Sequence, residues 1–316
     1  MINKLKVCLV GYGYWGPKLA RNFQNSNFFN LVSISDKSKS NLTKAKKNFP
    51  LINASTDFKK LITSNIDLVV IATPTETHFK ISKFSLEKKK HILVEKPISL
   101  SSTDVIKLQK ISRKNKKLIF VDYPFLFSGS INYIKKIIKD KKFGKLLEIE
   151  SYREQAPIRK DVNVVWDLAV HDISILTYLL KQNPKNMKSL KINTVNTPKA
   201  DTAYINLTYK NKLNVFVKNS WISPTKIRLM KFIFNNATIY CDENESMYKI
   251  KIYTNKSKNN WDKYNLQIPD IDLTEPLSKM VKYIFNSMKN KKNKLFDNKF
   301  NEKITSVLEK INKNND

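Results

Sequence analysis

The stretch KVCLVGYGYWGP, Lys6 to Pro17, decides the fold of the first part of the chain. Its opening apolar residues are typical of a buried strand, and the three glycines that follow stand in the order G-x-G-x-x-G. In a strand–turn–helix context, Gly11 permits a tight turn, Gly13 lets a pyrophosphate approach the backbone, and Gly16 lets the helix pack closely on the strand. The stretch therefore predicts a dinucleotide-binding loop at the first strand of an α/β domain.

The next strand, FNLVSIS, is followed by Asp36, about 20 residues after the loop, where such domains place a ribose-binding acid. A carboxylate there accepts hydrogen bonds from the ribose and repels a 2′-phosphate, which favours NAD over NADP as the cofactor. The alternative is a solvated residue at a strand end. Backbone N–H groups around Tyr14 and Trp15, at the start of the helix, would bind the phosphates.

The order of predicted elements changes near residue 122. Up to Val121, strand and helix patterns alternate, which predicts a parallel doubly wound Rossmann sheet. From Tyr123 on, a few helices accompany long alternating strands between Leu190 and Tyr253, which predicts an α+β domain with a large, mainly antiparallel sheet. We therefore predict an NAD-binding domain over residues 1–122 and a substrate-binding and oligomerisation domain over residues 123–316. The prediction leaves open whether the final helices pack on the first domain.

Composition limits the other classes of function. The formal net charge is +31, but nearly all of the positive charge is lysine scattered along the chain. Because arginine is the usual residue for recognising phosphates and bases, its scarcity argues against a nucleic-acid surface, although steeply salt-dependent binding would revive that alternative. The only cysteines, Cys8 and Cys241, form neither a disulfide framework nor a zinc pattern, so we expect no metal and a reducing cytoplasm. No apolar stretch is long enough to span a bilayer, so we expect no membrane partner.

Four motifs stand in order along the chain: GYGYWG at residues 11–16, ATPTETH at 72–78, EKP at 95–97 and D-x-x-x-H-D at 167–172. Together they resemble the Gfo/Idh/MocA oxidoreductases, the glucose-fructose oxidoreductase and inositol dehydrogenase group. The resemblance implies that Thr73, Pro74, His78 and Glu95 lie near the cofactor. It also implies that Lys96 reaches both substrate and cofactor ribose, and that the lysine–proline peptide is often cis. Two positions depart from the pattern: Val170 stands where proline or glycine is expected, and Tyr123, assigned to substrate binding, stands where many relatives carry histidine.

The stretch DVNVVWDLAVHDISIL, residues 161–176, is similar to the branch of this family that acts on nucleotide-linked sugars in surface-polysaccharide pathways. The substrate implied is a sugar such as a UDP-N-acetylhexosamine derivative, oxidised at its 3-position. A free polyol or simple sugar remains an alternative, as does a non-catalytic NAD-binding sensor. The presence of Lys96 and His171 counts against the sensor. The resemblance also implies a homodimer or homotetramer built through the free face of the C-terminal sheet.

The residues fit alcohol oxidation, which needs a base for the hydroxyl proton and a cationic or donor group for the developing alkoxide. His171 is the candidate base because its unperturbed pKa lies near neutrality. Asp167, four residues earlier on the same helix face, would orient the imidazole or bind a sugar hydroxyl; the alternative is an ordinary surface pair. Lys96 is the candidate alkoxide stabiliser, since it ends a strand at the edge where such sheets bind ligands.

Three further residues precede or begin the catalytic helix. Arg153 and Arg159 are candidate contacts for an anion or a sugar, with sheet-edge charge as the alternative reading. Asn163 is a third candidate for substrate binding, and capping of the helix is its alternative. Trp221, a lone tryptophan in a predicted strand, is expected in the core.

Overall fold

A computed structural model of the protein describes residues 4–195, 199–257, 260–293, 295 and 299–313. The chain divides into two compact units. The first contains the residues up to Pro124 together with Glu275–Thr305, and the second contains Phe125–Thr274 and the residues from Ser306 on. Among the residues described, no helix has both the length and the apolar character needed to cross a membrane.

The first unit is built on a six-stranded sheet in which every neighbouring pair is parallel. The strands, with spatial order β3-β2-β1-β4-β5-β6, are β1 Leu5–Val10, β2 Phe29–Ser35, β3 Asn53–Ser55, β4 Leu68–Ile71, β5 His91–Glu95 and β6 Ile119–Asp122. The intervening helices are α1 Gly16–Gln24, α2 Lys39–Asn48, α3 Phe58–Leu61, α4 Thr75–Glu87 and α5 Ser102–Asn115. The predicted doubly wound parallel sheet is confirmed.

The strand order locates the ligand edge of this sheet. The chain winds from β1 outward to β2 and β3, and then from β4 outward to β5 and β6 in the other direction. In open parallel sheets, ligands bind beyond the carboxyl ends of the strands at such a reversal. The β4 strand shows why the sheet is a stable platform, since Leu68–Ile71 are all fully buried β-formers.

The C-terminal part of the chain contributes one further helix to the first unit. Helix α8 spans Pro276–Lys289, and its Phe285 ring stacks on Phe28 with centroids 4.6 Å apart. An exposed ion pair joins Arg21 of α1 to Glu275, just before α8, at 3.2 Å. Helix α9, Phe300–Lys313, begins in the first unit and ends in the second.

The second unit carries an eight-stranded sheet with the order β14-β13-β12-β11-β7-β10-β9-β8. Its strands are β7 Leu146–Glu154, β8 Asn186–Ile192, β9 Thr202–Thr208, β10 Asn214–Ser220, β11 Ile227–Phe234, β12 Ala237–Asp242, β13 Ile250–Ser257 and β14 Asn260–Gln267. Strands β7 and β10 pair in parallel, and the other neighbouring pairs are antiparallel. The predicted mainly antiparallel sheet is confirmed, with β14 as a strand that the sequence reading missed.

Two main helices pack within the second unit, α6 Gly129–Asp140 and α7 Val170–Leu180. The sequence predicts a single helix from Asn163 to Leu180. The structure instead starts it with a π-helical turn at Val165–Ala169, which continues directly into α7. Such wide turns cluster at functional sites, because they change where the following side chains point.

Candidate active site

The glycine loop follows β1 and has the close contacts that its sequence predicts. A Cβ on Gly11, whose φ is +98°, would lie 2.4 Å from the Ala72 carbonyl oxygen, and one on Gly16 would lie 2.4 Å from the Gly11 carbonyl oxygen. Both positions therefore require glycine for backbone packing. Gly13 differs, because nothing lies within 4 Å of where its Cβ would be. The space beside Gly13 is open to a ligand.

Asp36 closes β2 and is tied to the loop. Its Oδ2 accepts the Tyr12 backbone N–H at 2.6 Å, and its Oδ1 accepts the Ser38 N–H at 2.8 Å. Each carboxylate oxygen keeps a further lone pair, so the group can still accept a ribose hydroxyl. The two backbone contacts fix the carboxylate beside the glycine loop, where the sequence places a ribose-binding acid.

The start of α1 carries an aromatic pair. Tyr14 is 79% exposed, whereas Trp15 is partly buried and donates its indole N–H to Asp122 Oδ2 at 2.5 Å. The Lys18 ammonium lies over both rings, 4.6 Å from the Tyr14 centroid and 4.2 Å from the Trp15 centroid. The indole contact ties the N-terminus of α1 to the end of β6.

His78 joins two loops at this edge. The residue is 1% exposed, and its two ring nitrogens contact the Pro97 and Thr73 carbonyl oxygens, each at 2.8 Å. The imidazole is therefore engaged with backbone, while Pro74 is exposed and Thr73 partly exposed on the adjoining loop. His78 holds the Thr73 loop against the EKP loop, so any effect on the cofactor would pass through those loops. The Lys96–Pro97 peptide is cis, in agreement with the resemblance.

A pair of acids ends β5 and β6. Glu95 and Asp122 are register partners on these parallel strands, and their carboxyls lie within hydrogen-bonding reach of each other. Burial raises the pKa of Glu95 well above its usual range, the neighbouring Asp122 raises it further, and Lys96 offsets only part of this. Lys96 itself is partly exposed beside the pair. Asp122 was not singled out in the sequence, although its position at the end of an apolar strand was a usable signal.

His171 occupies a particular place on the second unit. Within Val164–Leu176, all of which is described, every other side chain is buried and His171 alone is partly exposed. The Phe125 ring meets the imidazole edge to face, with centroids 5.2 Å apart. His171 is therefore held by packing while it keeps access to solvent.

Asp167 lies one helical turn before His171 and is anchored by two donors. Arg159 donates to Oδ1 at 3.2 Å, and the Trp221 indole donates to Oδ2 at 3.0 Å. Arg159 also binds Asp161 through two nitrogens. Burial alone would lower the pKa of Arg159, but the hydrogen bonds and charges of Asp161 and Asp167 raise it overall. The Arg159 and Trp221 contacts fix this buried carboxylate one helical turn before the candidate base. Trp221 is buried as expected, and a buried indole N–H needs an acceptor, which was a signal for this contact.

Arg153 lies on a central strand, which excludes the alternative of sheet-edge charge. It is 3% exposed on β7, a central strand, so it is neither sheet-edge charge nor on the surface. Its Nε donates to Asp172 at 3.2 Å, and its guanidinium lies 4.5 Å from the centroid of the Phe125 ring. Asp172 also accepts from Ser151 at 2.8 Å and from Asn219 at 2.9 Å. Arg153 therefore supports the residues behind His171.

The remaining predicted site residues are placed as follows. Tyr123 is fully buried, its ring meets Phe300 edge to face at 6.2 Å, and burial raises the pKa of its hydroxyl. Asn163 accepts the Trp166 backbone N–H at 3.3 Å and donates to Asn312 at 2.6 Å, which fits the capping alternative. Among the described residues, no group of three or more His, Cys, Asp or Glu side chains could hold a metal ion.

The first unit fits a dinucleotide. The open space at Gly13 admits a pyrophosphate, the backbone N–H groups at the start of α1 are available to anions, and Asp36 is held at the end of β2. With Asp36 at β2 on one side of β1, the nicotinamide half would extend to the other side, toward β4 and β5. That is where Thr73, Glu95 and Lys96 lie.

Comparison with known proteins identifies the class. Residues 5–123 match the model of an oxidoreductase family with an NAD-binding Rossmann fold, and residues 131–244 match the GFO/IDH/MocA C-terminal domain. The chain belongs to the Gfo/Idh/MocA family and is an oxidoreductase, as the motifs predict.

The sequence identity between the chain and individual relatives is low. The chain is 27% identical to myo-inositol 2-dehydrogenase of Thermotoga maritima over 56% of its own length and 55% of the relative. It is 26% identical to UDP-N-acetylglucosamine 3-dehydrogenase of Acidithiobacillus ferrooxidans over 52% of its own length and 49% of the relative. The chain thus spans about half the length of these curated relatives. The solved structure of the second of these proteins superposes over 98% of this chain and 97% of its own, with a TM-score of 0.85 and 18% identity.

Proposed function

We propose that the chain is an NAD-dependent dehydrogenase that moves a hydride between a secondary alcohol of a sugar and nicotinamide. The observation that carries the proposal is His171, the one side chain of Val164–Leu176 that keeps access to solvent. A catalytic base must exchange protons with substrate and water, and a histidine near neutrality does both. Bound NAD supplies the hydride acceptor, while the protein supplies orientation and charge.

The residues take distinct roles in the proposal. His171 removes the hydroxyl proton as the alcohol is oxidised and returns it in the reverse reaction. The Lys96 ammonium donates to the oxygen on which negative charge develops. Asp167, held by Arg159, stabilises the imidazolium that His171 becomes, or binds a sugar hydroxyl beside it.

The preferred cofactor is NAD. Asp36 places a carboxylate, held by two backbone N–H groups, where a 2′-phosphate would need a cation. Two anions at that position repel each other, whereas a ribose with free hydroxyls gains hydrogen bonds to a charged acceptor. Lys37 and Lys39 follow closely and soften this preference without reversing it.

The preferred substrate is a nucleotide-linked sugar, for example a UDP-N-acetylhexosamine derivative oxidised at its 3-position. The similarity of residues 161–176 to the nucleotide-sugar branch and the match to a UDP-N-acetylglucosamine 3-dehydrogenase support this choice. The match to a myo-inositol 2-dehydrogenase at a similar identity favours a free polyol as the second candidate.

We also propose a homodimer or homotetramer built on the sheet of the second unit. Apolar side chains on neighbouring strands are largely exposed there, including Leu190 at 51%, Tyr204 at 44% and Phe216 at 45%. Exposed apolar side chains on adjacent strands are typical of a protein interface. Light scattering coupled to size exclusion tests the assembly, and a monomer at micromolar concentration contradicts it.

The test of function is NADH production from NAD with a panel of nucleotide sugars and free polyols, together with the reverse reaction on the ketones. His171→Ala and Lys96→Ala are assayed alongside, and equilibrium binding of NAD is measured for each variant. We expect turnover of a nucleotide sugar that both substitutions abolish while NAD binding is retained. Turnover of polyols alone would keep the mechanism and replace the substrate. Tight NAD binding without turnover in either direction would favour a sensor.

A further inference from the structure

The acid pair at the ends of β5 and β6 consists of a fully buried Asp122 and a partly buried Glu95. Glu95 Oε1 and Asp122 Oδ1 are both buried, and within the described part of the chain no hydrogen-bond donor reaches either atom. The two carboxyls nevertheless face each other as register partners. Two carboxylates this close, with their facing oxygens shielded from water, cannot both stay ionised at low cost, whereas one proton between them satisfies both oxygens.

The contacts decide which acid keeps the proton. Asp122 Oδ2 accepts the Trp15 indole N–H at 2.5 Å, and a hydrogen bond of this kind is stronger when its acceptor is ionised. Trp15 is the N-cap of α1, where the helix dipole favours a negative charge. Glu95 is the more strongly penalised acid, since burial and then Asp122 raise its pKa. These contacts assign the proton to Glu95.

One negative charge resides on the pair itself at the sheet edge, apart from the charges of its neighbours. The cation beside Glu95 is Lys96, which is partly exposed and whose ammonium is the proposed donor to substrate. On the far side of Asp122, Lys18 lies over the Trp15 ring and does not bind the carboxylate directly.

We propose that Glu95 and Asp122 share one proton, and that the single negative charge that remains makes this site bind oxidised NAD more tightly than NADH. The inference rests on the binding of a nicotinamide dinucleotide. Strands lie about 4.8 Å apart, so Asp122, at the end of β6, is about 10 Å from the end of β4, toward which the nicotinamide half would extend. The nicotinamide ring is positively charged only in the oxidised form. A unit charge at about 10 Å and an effective dielectric constant near 20 changes the relative affinity about ten-fold or slightly more.

The test is the ratio of the dissociation constants of NADH and NAD⁺, measured by calorimetry on the full chain without substrate. Glu95→Gln is the matched control, because an amide replaces the neutral acid, still donates to Asp122, and leaves the pair at one negative charge. Glu95→Gln with Asp122→Asn removes the charge and keeps an acceptor for Trp15. We expect the control to keep the wild-type ratio within about two-fold and the double variant to lower it about ten-fold.

Each other outcome overturns the inference. An unchanged ratio in the double variant would show that the acid pair has no electrostatic effect on the cofactor. A ratio about ten-fold lower in Glu95→Gln alone would show that Glu95, and not Asp122, carries the charge. If the double variant does not fold, infrared difference spectra of wild type against Glu95→Gln at about pH 8 decide, because a shared proton gives a protonated carboxyl band well above the usual carboxyl pKa. Absence of that band refutes the shared proton. These measurements involve no turnover, so their results are independent of the proposed substrate. Failure to bind either form of the dinucleotide would refute both the charge effect and the proposed NAD-dependent function.

Discussion

Alanine substitutions at two glycines of the same loop are expected to have different effects: Gly16→Ala should lower stability, and Gly13→Ala should weaken cofactor binding. At Gly16 the new Cβ would lie 2.4 Å from the Gly11 carbonyl oxygen, a backbone atom that cannot rotate away. Overpacking of this kind costs about 1–3 kcal/mol, and the gain in helix propensity offsets part of it. At Gly13 the new Cβ meets no protein atom within 4 Å, so Gly13→Ala should unfold at the same denaturant concentration as wild type or slightly above it.

Cofactor binding should separate the two variants further. The methyl group of Gly13→Ala occupies the space through which a pyrophosphate approaches the backbone, so its dissociation constant for NAD should rise at least about ten-fold. Urea unfolding measures the stability of each variant, and calorimetry measures its affinity for NAD. Wild-type affinity in Gly13→Ala would refute the placement of the pyrophosphate, and wild-type stability in Gly16→Ala would refute the packing argument.

Three other substitutions test separate parts of the account. Asp36→Ser should raise the dissociation constant for NAD about ten-fold or more, since a charged acceptor is lost, and should shift the binding preference toward NADP. Binding titrations that show no change of preference would argue against the ribose contact. Asp172→Ala leaves the Arg153 guanidinium buried without its carboxylate, which should cost about 3–5 kcal/mol in urea unfolding, and a cost below 1 kcal/mol would contradict this. Burial, with a smaller effect of Lys117, lowers the pKa of His91 to about 4. Between about pH 6.5 and pH 4 the unfolded chain therefore binds a proton at His91 that the folded chain does not bind. The free energy of unfolding should fall by about 3 kcal/mol as the pH drops through that window. His91→Asn, which can still accept the Leu118 N–H, should flatten that part of the pH–stability curve; an unchanged slope would mean that His91 titrates normally.

The first unit was predictable because its signals are local. A buried strand, a glycine loop and a strand-ending acid each depend on a few neighbouring residues, and Gly11, Gly16 and Asp36 have the contacts that this pattern requires. The type of the second sheet was also readable from its alternating strands. The parallel pairing of β7 with β10 was not, because register between distant strands leaves no mark in either strand alone.

The polar partners of the site were less predictable, since they are set by tertiary contacts. Arg153 looked like a substrate contact because it is one of five arginines, but Asp172 and Phe125 hold it in the interior. His78 looked like a cofactor contact, whereas both its ring nitrogens meet backbone carbonyls. The acid pair at Glu95 and Asp122 emerges only when β5 and β6 are placed side by side.

Hydride transfer itself is tested most directly with a substrate that carries deuterium at the carbon to be oxidised. We predict that mass spectrometry finds the deuterium in the reduced nicotinamide, and that His171→Ala and Lys96→Ala abolish the transfer while still binding NAD. Product formed with no label in the cofactor, or transfer that survives both substitutions, would contradict the account.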